Sequence, residues 1–226
     1  MATYDLEEQE QLAELKAWWK QYGNLVTGLI TAAALGVLAW QGWNWYERDQ
    51  AAKASGLYSM LQRVALERDT QKTKTVAGEL VAKFGGTAYA QLGALTAAKL
   101  LHDTGDLPSA KAQLSWLADN GKEELRDIGR LRLANILLDE KAYDEALKVL
   151  AAGHAATFDV RYAETRGDVL AAQGKKAEAA AAYREALSGI DRAAGDKTPG
   201  TLQAREVTAP YRQMLQQKLD SLGDAK

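Results

Sequence analysis

The amino-acid sequence predicts an all-α protein in which a single N-terminal transmembrane helix precedes an α-solenoid, a stack of helical pairs. Three observations support this prediction. The stretch from Gln21 to Tyr46 contains no charged residue. Beyond Tyr46, apolar residues recur with the 3.6-residue period of a helix and not with the two-residue period of a strand. Short breaks then divide the rest of the chain into segments of helical length.

The uncharged stretch is long enough to cross a lipid bilayer. From Tyr22 to Trp43 a helix rises about 32 Å, the thickness of the hydrocarbon layer. Aromatic residues gather at both ends of the stretch, as amphipathic rings do at membrane interfaces. These residues are Trp18, Trp19 and Tyr22 at one end and Trp40, Trp43, Trp45 and Tyr46 at the other. We therefore predict a membrane anchor over residues 22–46.

Three other interpretations of this stretch compete with an uncleaved anchor. A buried core helix is usually shorter and carries a charged face. A cleaved signal peptide begins with a basic region, whereas residues 1–20 contain five acidic residues against Lys16 and Lys20. Cleavage after Ala39 would also leave the aromatic cluster from Trp40 as a poor start of the mature chain. A lipoprotein is excluded because the chain has no cysteine to acylate.

The orientation of the anchor is not fixed by charge. Lys16 and Lys20 flank one side and Arg48 and Lys53 the other, so the positive-inside rule gives almost no preference. A short leading tail before a long trailing domain is the usual layout of a signal anchor. On that ground we expect residues 1–21 to form a short acidic tail in the cytoplasm.

One face of the predicted membrane helix carries small residues. Gly28, Ala32 and Gly36 recur at every fourth position, and Asn24 and Trp40 extend the same stripe. Small residues at this spacing let a second helix approach closely within a membrane. We predict a helix–helix contact here, the alternative being that glycine and alanine are simply common in such helices.

Composition excludes several classes of protein. The net charge is −2 and no long basic block is present, so nucleic acid and anionic lipid are not expected partners. Without cysteine the chain can form neither a disulfide nor a thiolate metal site. The absence of cysteine is compatible with an oxidising compartment as well as with a reducing one.

Six short breaks divide the chain beyond the anchor into predicted helices of about 10 to 18 residues. The breaks lie at residues 84–86, 104–106, 119–121, 139–141, 152–153 and 173–175. The clearest helical pair spans Val160 to Ala193. Counted from Val160, small residues stand at position 8 (Gly167) and position 20 (Ala179), and an aromatic residue at position 24 (Tyr183).

This arrangement resembles the tetratricopeptide repeat, in which small residues let two helices touch and an aromatic ring fills the space beneath. The same shape recurs along the chain. The corresponding alanines are Ala77, Ala110, Ala146 and Ala179, at spacings of 33, 36 and 33 residues. The earliest unit, residues 48–84, is degenerate, and its first helix is expected to continue from the membrane helix. An irregular helical bundle is the alternative.

The last segment is expected to close the stack as a capping helix. We predict that this helix begins near Pro210, since proline suits a first helical turn, and ends at Gly223. A loop over residues 191–200 is expected before it. The apolar stripe of the capping helix consists of Leu215, Leu219 and Leu222.

The sequence contains no constellation of catalytic residues. The two histidines, His102 and His154, lie far apart, and His102 suits the end of a helix, where a cation is favourable. The triplet from Asp103 to Gly105 matches that of aspartic proteases, but such chemistry needs two such loops in a β framework. We therefore predict a binding protein rather than an enzyme, with no cofactor and no metal.

A stack of helical pairs leaves a concave face lined by the first helix of each pair. The repeat resemblance places groove positions on three of these helices, and mixed polar side chains there suit a peptide or an extended partner segment. Ordinary solvated positions are the alternative. The candidate groove residues are Lys99, His102 and Asp103, then Asn135 and Asp139, then Arg161, Glu164 and Asp168.

The order of motifs along nearly the whole chain resembles the YfgM family, the ancillary subunits of the bacterial Sec translocon. An acidic tail leads to Trp18-Trp19-Lys20 and Gly23, and the anchor follows. The later motifs are Trp40 with Trp43, Ala98-Lys99, Leu131-Arg132-Leu133-Ala134, Leu170 through Gly174-Lys175, Met214 and Lys218-Leu219.

The resemblance implies an inner-membrane protein of a Gram-negative bacterium, with residues 47–226 forming a periplasmic tetratricopeptide-repeat-like domain. It implies two partners, the Sec translocon channel and a membrane-anchored prolyl-isomerase-type chaperone. The implied role is a scaffold that helps exported polypeptides on arrival. A periplasmic adaptor in envelope assembly or stress signalling, unrelated to export, is the alternative. An enzyme would lose turnover on substitution of His102 or Asp103.

Overall fold

The computed structural model describes the backbone of residues 3–195 and 201–223, and the side chains of residues 10–192 and 209–223. Nine α-helices and one short 3₁₀ helix, without a strand, make up the described residues, which confirms the all-α prediction. The α-helices are α1 (Thr3–Leu66), α2 (Thr70–Phe84), α3 (Ala88–Asp103), α4 (Leu107–Asn120), α5 (Glu123–Asp139), α6 (Tyr143–Leu150), α7 (Asp159–Ala172), α8 (Lys176–Gly195) and α9 (Thr201–Ser221).

The chain divides into two compact units, Met1–Ala52 and Lys53–Lys226. The first unit consists of the N-terminal part of α1. Its large apolar side chains, among them Leu25, Leu29 and Leu38, are exposed. Among the described residues, α1 is the one helix that is long and apolar enough to cross a membrane, with a mean hydropathy of 1.6 over the most apolar window.

The second unit is built from helical pairs. α3 pairs with α4, α5 with α6, and α7 with α8, and each pair also packs against the next. The end of α1 supplies the first helix of the earliest pair, since Leu61 shares a core with Leu80 of α2. That α1 continues without a break to Leu66 confirms the prediction for this degenerate unit.

The predicted contact residues of the second helices are fully buried. Ala77, Ala110, Ala146 and Ala179 all have no exposed surface. In the last pair, a Cβ added at Gly167 would lie 2.5 Å from Cε1 of Tyr183, so glycine is required for the tyrosine ring to pack there. The sequence prediction of close helix pairs with an aromatic filler is therefore confirmed.

The turn within each pair has one recurring geometry. Arg68, Gly105, Lys141 and Gly174 all have positive φ, between 57° and 84°. The next residue in each turn donates its N–H to a carbonyl five residues earlier, at 2.8 to 3.1 Å, which satisfies the helix end. Glycine adopts this conformation freely, whereas a residue with a Cβ is strained there. Arg68 and Lys141 therefore occupy positions that favour glycine.

The end of the chain corrects two predictions. α9 begins at Thr201, so Pro210 lies inside the helix and not in its first turn. Proline fixes φ near the helical value, so a helix can continue through it with the loss of one hydrogen bond. Residues 191–195 belong to α8 and not to a loop, while residues 196–200 lie outside the described part.

The apolar stripe of α9 is confirmed. Leu215 and Leu222 are buried with Ala179, Tyr183 and Ile190 in a core cluster formed by α7, α8 and α9, and Leu219 packs against it. The helix ends at Ser221, and Gly223 follows with φ of 70°, as predicted for a helix end. The fourth pair thus contributes to two core clusters: Tyr162 and Val169 of α7 join the cluster of the earlier pairs, and the remaining buried hydrophobic residues of α7 and α8 share the cluster with α9.

Candidate functional site

A cavity of about 240 Å³ lies between α3 and α5. Ala98, Leu114 and Ile136 give it an apolar floor. Five of the eight predicted groove residues line this cavity: Lys99, His102 and Asp103 on α3, and Asn135 and Asp139 on α5. The structure thus brings together the residues predicted for the second and third pairs.

The two walls of the cavity present equivalent positions of successive repeats. Asn135 follows Lys99, and Asp139 follows Asp103, by the same 36 residues that separate the turn residues Gly105 and Lys141. Successive repeats set such positions side by side because each pair stacks on the previous one. The polar side chains of the cavity therefore come from the repeat itself.

The α3 wall is internally neutralised. Lys99 Nζ lies 2.9 Å from Asp103 Oδ2, and His102 Nδ1 lies 3.7 Å from Asp103 Oδ1. The hydrogen bond from Lys99, with a smaller contribution from the nearby His102, holds the pKa of Asp103 below its ordinary value. The carboxylate of Asp103 is therefore already engaged within its own helix.

The α5 wall is different. The side chains of Arg132, Asn135 and Asp139 are exposed and form neither a hydrogen bond nor an ion pair with any residue in the described part of the chain. The groove prediction did not include Arg132, because this residue does not stand at a groove position of the tetratricopeptide repeat. Its place three residues before Asn135, on the same side of the helix, was the available signal.

A second cavity, of about 600 Å³, lies between the end of α1 and α3 and shares Lys99 and Asp103 with the first. Leu66 and Leu100 supply its apolar lining, and Gln62 and Thr96 supply polar groups. Leu66 is 85% exposed, which is unusual for a leucine beside a cavity. The two cavities together extend the open face over three consecutive first helices.

The remaining three predicted groove residues, Arg161, Glu164 and Asp168, lie on α7 and line neither of these two cavities. Lys218 of α9 places its Nζ 2.8 Å from Glu164 Oε1 and 2.8 Å from Asp168 Oδ2. Tyr183 donates to Asp168 at 2.7 Å, and Tyr211 donates to Glu164. Arg161 stays exposed. The two carboxylates are thus occupied by the C-terminal helix of the same chain.

Burial and hydrogen bonding act in opposite directions on Lys218. Burial lowers the pKa of this lysine, but its hydrogen bonds to Asp168 and Glu164 outweigh that effect and raise the pKa. Burial also raises the pKa of the Tyr183 hydroxyl, and the hydrogen bond to Asp168 adds to it. The cation and the neutral phenol are therefore the favoured forms where α9 meets α7.

A buried carboxylate that the sequence did not reveal holds the loop between α6 and α7. Asp127 has no exposed surface and accepts hydrogen bonds from the Ala155 N–H at 2.9 Å and from the Tyr162 hydroxyl at 3.4 Å. Arg130 lies 3.8 Å from Asp127 and donates to the Gly153 carbonyl at 2.7 Å. Burial raises the pKa of Tyr162 to about 12.

The two histidines have structural surroundings. His154 stacks on Tyr162 with ring centroids 3.8 Å apart, and its Nε2 lies 3.2 Å from Asp159 Oδ1. His102 belongs to the α3 wall described above. No group of three or more histidine, aspartate or glutamate side chains within the described ranges is placed to hold a metal ion.

The small residues of the membrane segment face open space. A Cβ added at Gly28 or Gly36 would meet nothing within 4 Å. Internal packing of the first unit therefore does not explain why these positions are small.

Stacked helical pairs with small contact residues and a shared turn define an α-solenoid of the tetratricopeptide-repeat type. Residues 16–224 match the family model described as tetratricopeptide repeat-like domain, and the chain belongs to that family. A protein of Neisseria gonorrhoeae named ancillary SecYEG translocon subunit is 31% identical over 222 residues, which cover 96% of this chain and 98% of the relative. This chain is a member of the family of ancillary SecYEG translocon subunits, as the resemblance of its motifs indicated.

Two further relatives carry the same name. The Haemophilus influenzae protein is 29% identical over 185 residues, which cover 81% of this chain and 90% of the relative. The Escherichia coli K12 protein is 28% identical over 217 residues, which cover 95% and 96% respectively. The similarity thus extends over the apolar part of α1 and over the helical pairs alike.

Proposed function

We propose that this chain is a membrane-anchored, protein-binding scaffold that associates with the Sec translocon and with a membrane-anchored prolyl-isomerase-type chaperone to assist exported polypeptides. The observation that carries the proposal is the similarity, over nearly its full length, to proteins named ancillary SecYEG translocon subunit. The cavity between α3 and α5 agrees with a binding role rather than catalysis. Lys99 and Asp103 pair with each other there, and the side chains of Arg132, Asn135 and Asp139 have no partner among the described residues.

The proposed topology has residues 1–21 in the cytoplasm, residues 22–46 across the inner membrane and residues 47–226 in the periplasm. Exposed apolar side chains along α1 support the crossing, because such a surface is unfavourable in water and favourable in lipid. Protease added to spheroplasts should digest the repeat domain. Digestion only after the membrane is broken would contradict this topology.

Within the membrane, we propose that Gly28, Ala32 and Gly36 contact a helix of a translocon or chaperone subunit. The absence of any neighbour within 4 Å of an added Cβ at the two glycines supports this, since nothing in the first unit fills the space. Close approach of two backbones at small residues provides packing where no hydrophobic drive between helices exists.

In the periplasm, we propose that Lys99, His102, Asp103, Asn135 and Asp139 bind an extended segment of a partner or of an exported chain. Their common cavity, with its apolar floor, supports this proposal. Arg161 is exposed and can contact the same partner directly. Glu164 and Asp168 would contact a partner only where α9 leaves α7, because Lys218 occupies both carboxylates.

Photo-crosslinking in living cells tests the association. A benzophenone amino acid at position 32 should capture a translocon or chaperone subunit. The same probe at Ala34, about 200° around the helix, is the matched control and should capture much less. Capture of other envelope proteins alone from position 32 would instead favour the adaptor unrelated to export, and equal capture from both positions would contradict a specific helix contact.

A further inference from the structure

The α5 wall carries two opposite charges that nothing in the described part of the chain neutralises. Arg132 and Asp139 are exposed, line the 240 Å³ cavity and have no hydrogen bond or ion pair there. Seven residues separate them, which is two helical turns, so both lie on one face about 10.5 Å apart along the axis. This spacing is too long for the two side chains to pair with each other.

The other charges of the cavity are already compensated. Lys99 and Asp103 pair at 2.9 Å, and His102 lies beside the same carboxylate. A ligand in this cavity would therefore find one cation and one anion with unsatisfied charge, at opposite ends of the α5 wall. An acidic group near Arg132 and a basic group near Asp139 complement this arrangement.

The backbone of the ligand is constrained by Asn135, which lies between the two charges. Its amide offers two donors and an acceptor, and none of them has a partner among the described residues. A helical ligand satisfies its own backbone groups and leaves such an amide unused. An extended ligand exposes N–H and C=O groups that the amide can bind.

The spacing of the charges matches one extended conformation. In polyproline II, three residues make one turn with a rise of about 3.1 Å each, so residues three positions apart share a face about 9 Å apart. That distance is close to the spacing on the α5 wall. One of the two residues in between then points towards the floor of Ala98, Leu114 and Ile136.

We propose that the cavity selects extended polypeptides in which an acidic and a basic residue stand three positions apart and flank an apolar residue. The inference rests on the proposed groove function and adds the chemistry of the ligand. The acidic residue pairs with Arg132, the basic residue with Asp139, the backbone with Asn135, and the apolar side chain fills the cavity floor.

Fluorescence anisotropy with the full-length protein in detergent micelles tests this proposal. The probe is a ten-residue labelled peptide of glycine and serine that contains glutamate and lysine three positions apart around a leucine, made in both charge orders. One comparator has glutamine at both charged positions, and the other has the two charges adjacent. We expect the better probe order to bind about tenfold more tightly than the glutamine comparator, because each exposed charge pair contributes about threefold. The comparator with adjacent charges can form only one of the two pairs, so the probe should bind about threefold more tightly than this peptide.

Two neutral variants locate the preference. Arg132→Gln and Asp139→Asn should each reduce the tenfold preference to about threefold, while binding of the glutamine comparator stays unchanged. The matched controls are Arg184→Gln on α8 and Asp119→Asn on α4, which remove exposed charges outside this cavity and should keep the full preference.

The outcomes separate the two levels of the proposal. Equal binding of all peptides to the wild-type protein would overturn the charge selection and leave the groove in place. A preference that survives in both Arg132→Gln and Asp139→Asn would also overturn it. No binding of any peptide, together with no crosslink from a benzophenone at position 135 in cells, would overturn the groove function itself.

Discussion

The first helices of the third and fourth pairs, α5 and α7, carry side chains at the same repeat position in two different environments. Asp168 of α7 follows Asn135 of α5 by the 33 residues that also separate the turn residues Lys141 and Gly174. Asn135 lies open in a cavity, whereas Asp168 binds Lys218 and Tyr183. The same repeat position is thus open to a ligand in one pair and holds a neighbouring helix in the other, according to whether a further helix packs on it.

The difference between the two pairs shows how a stack of repeats ends. The single helix α9 follows the fourth pair and packs on it. Leu215, Leu219 and Leu222 in and just after this helix cover the pair, and Lys218 lies between Glu164 and Asp168. Terminal repeats need such a cover because the next pair is missing. The proposed ligand groove is therefore confined to the pairs that α9 does not reach.

The largest expected effect comes from removing the apolar anchor of α9. Leu215→Ala deletes a fully buried side chain and leaves a cavity, so we expect the free energy of unfolding of the repeat domain to fall by about 3 kcal/mol. Urea unfolding of the full chain in detergent, followed by circular dichroism, measures the change. Leu66→Ala, at an exposed leucine, is the matched control and should stay within about 0.5 kcal/mol of the wild type.

A smaller effect is expected from the lysine of the covered pair. Lys218→Met keeps the length of the side chain but leaves Glu164 and Asp168 half-buried without their cation, and should cost about 1 to 2 kcal/mol. Arg212→Met, which breaks an exposed pair with Asp191, should leave the unfolding curve unchanged. Equal losses of unfolding free energy in the two variants would mean that the half-buried contact of Lys218 with Glu164 and Asp168 stabilises the domain no more than an exposed ion pair does.

The turns of the two pairs allow a reciprocal exchange. Lys141→Gly relieves a residue held at φ of 61° and should stabilise the domain by about 0.5 to 1 kcal/mol. Gly174→Lys places a side chain at φ of 82° and should destabilise it by about 1 kcal/mol. Thermal unfolding of both variants checks the sign, and two changes of the same sign would show that the turns are not equivalent.

The smallest expected effect concerns the open cavity and its pH dependence. Because Lys99 lowers the pKa of Asp103, this pair stabilises the folded chain above the ordinary aspartate pKa of about 3.9 and loses its effect as pH falls through the lowered value. Lys99→Met should move the carboxylate titration, followed by NMR, back towards the ordinary value. An unchanged titration would show that the contact does not persist in solution.

Local features of the fold followed from the sequence. The uncharged stretch, the helix breaks and the buried alanines of the second helices are set by composition and by a 3.6-residue period, both of which act over a few turns. Pro210 misled the prediction because proline is compatible with two places, the start of a helix and its exposed interior.

The site could be predicted only in part. Five groove residues share a cavity because equivalent positions of stacked repeats become neighbours, and the repeat spacing was readable. The ion pairs of Glu164 and Asp168 with Lys218 could not be predicted, since Lys218 lies 54 and 50 residues further along the chain. The burial of Asp127 likewise depends on Ala155 and Tyr162, which reach it from a different helix and loop.

The sequence by itself determined that one apolar helix precedes a stack of helical pairs, because hydrophobic pattern and turn residues act between near neighbours in the chain. The tertiary structure alone decided which groove positions stay open and which are closed by α9, which charges are paired, and that Lys141 adopts a positive φ. These features depend on contacts between residues distant in sequence, whose partners no local pattern specifies.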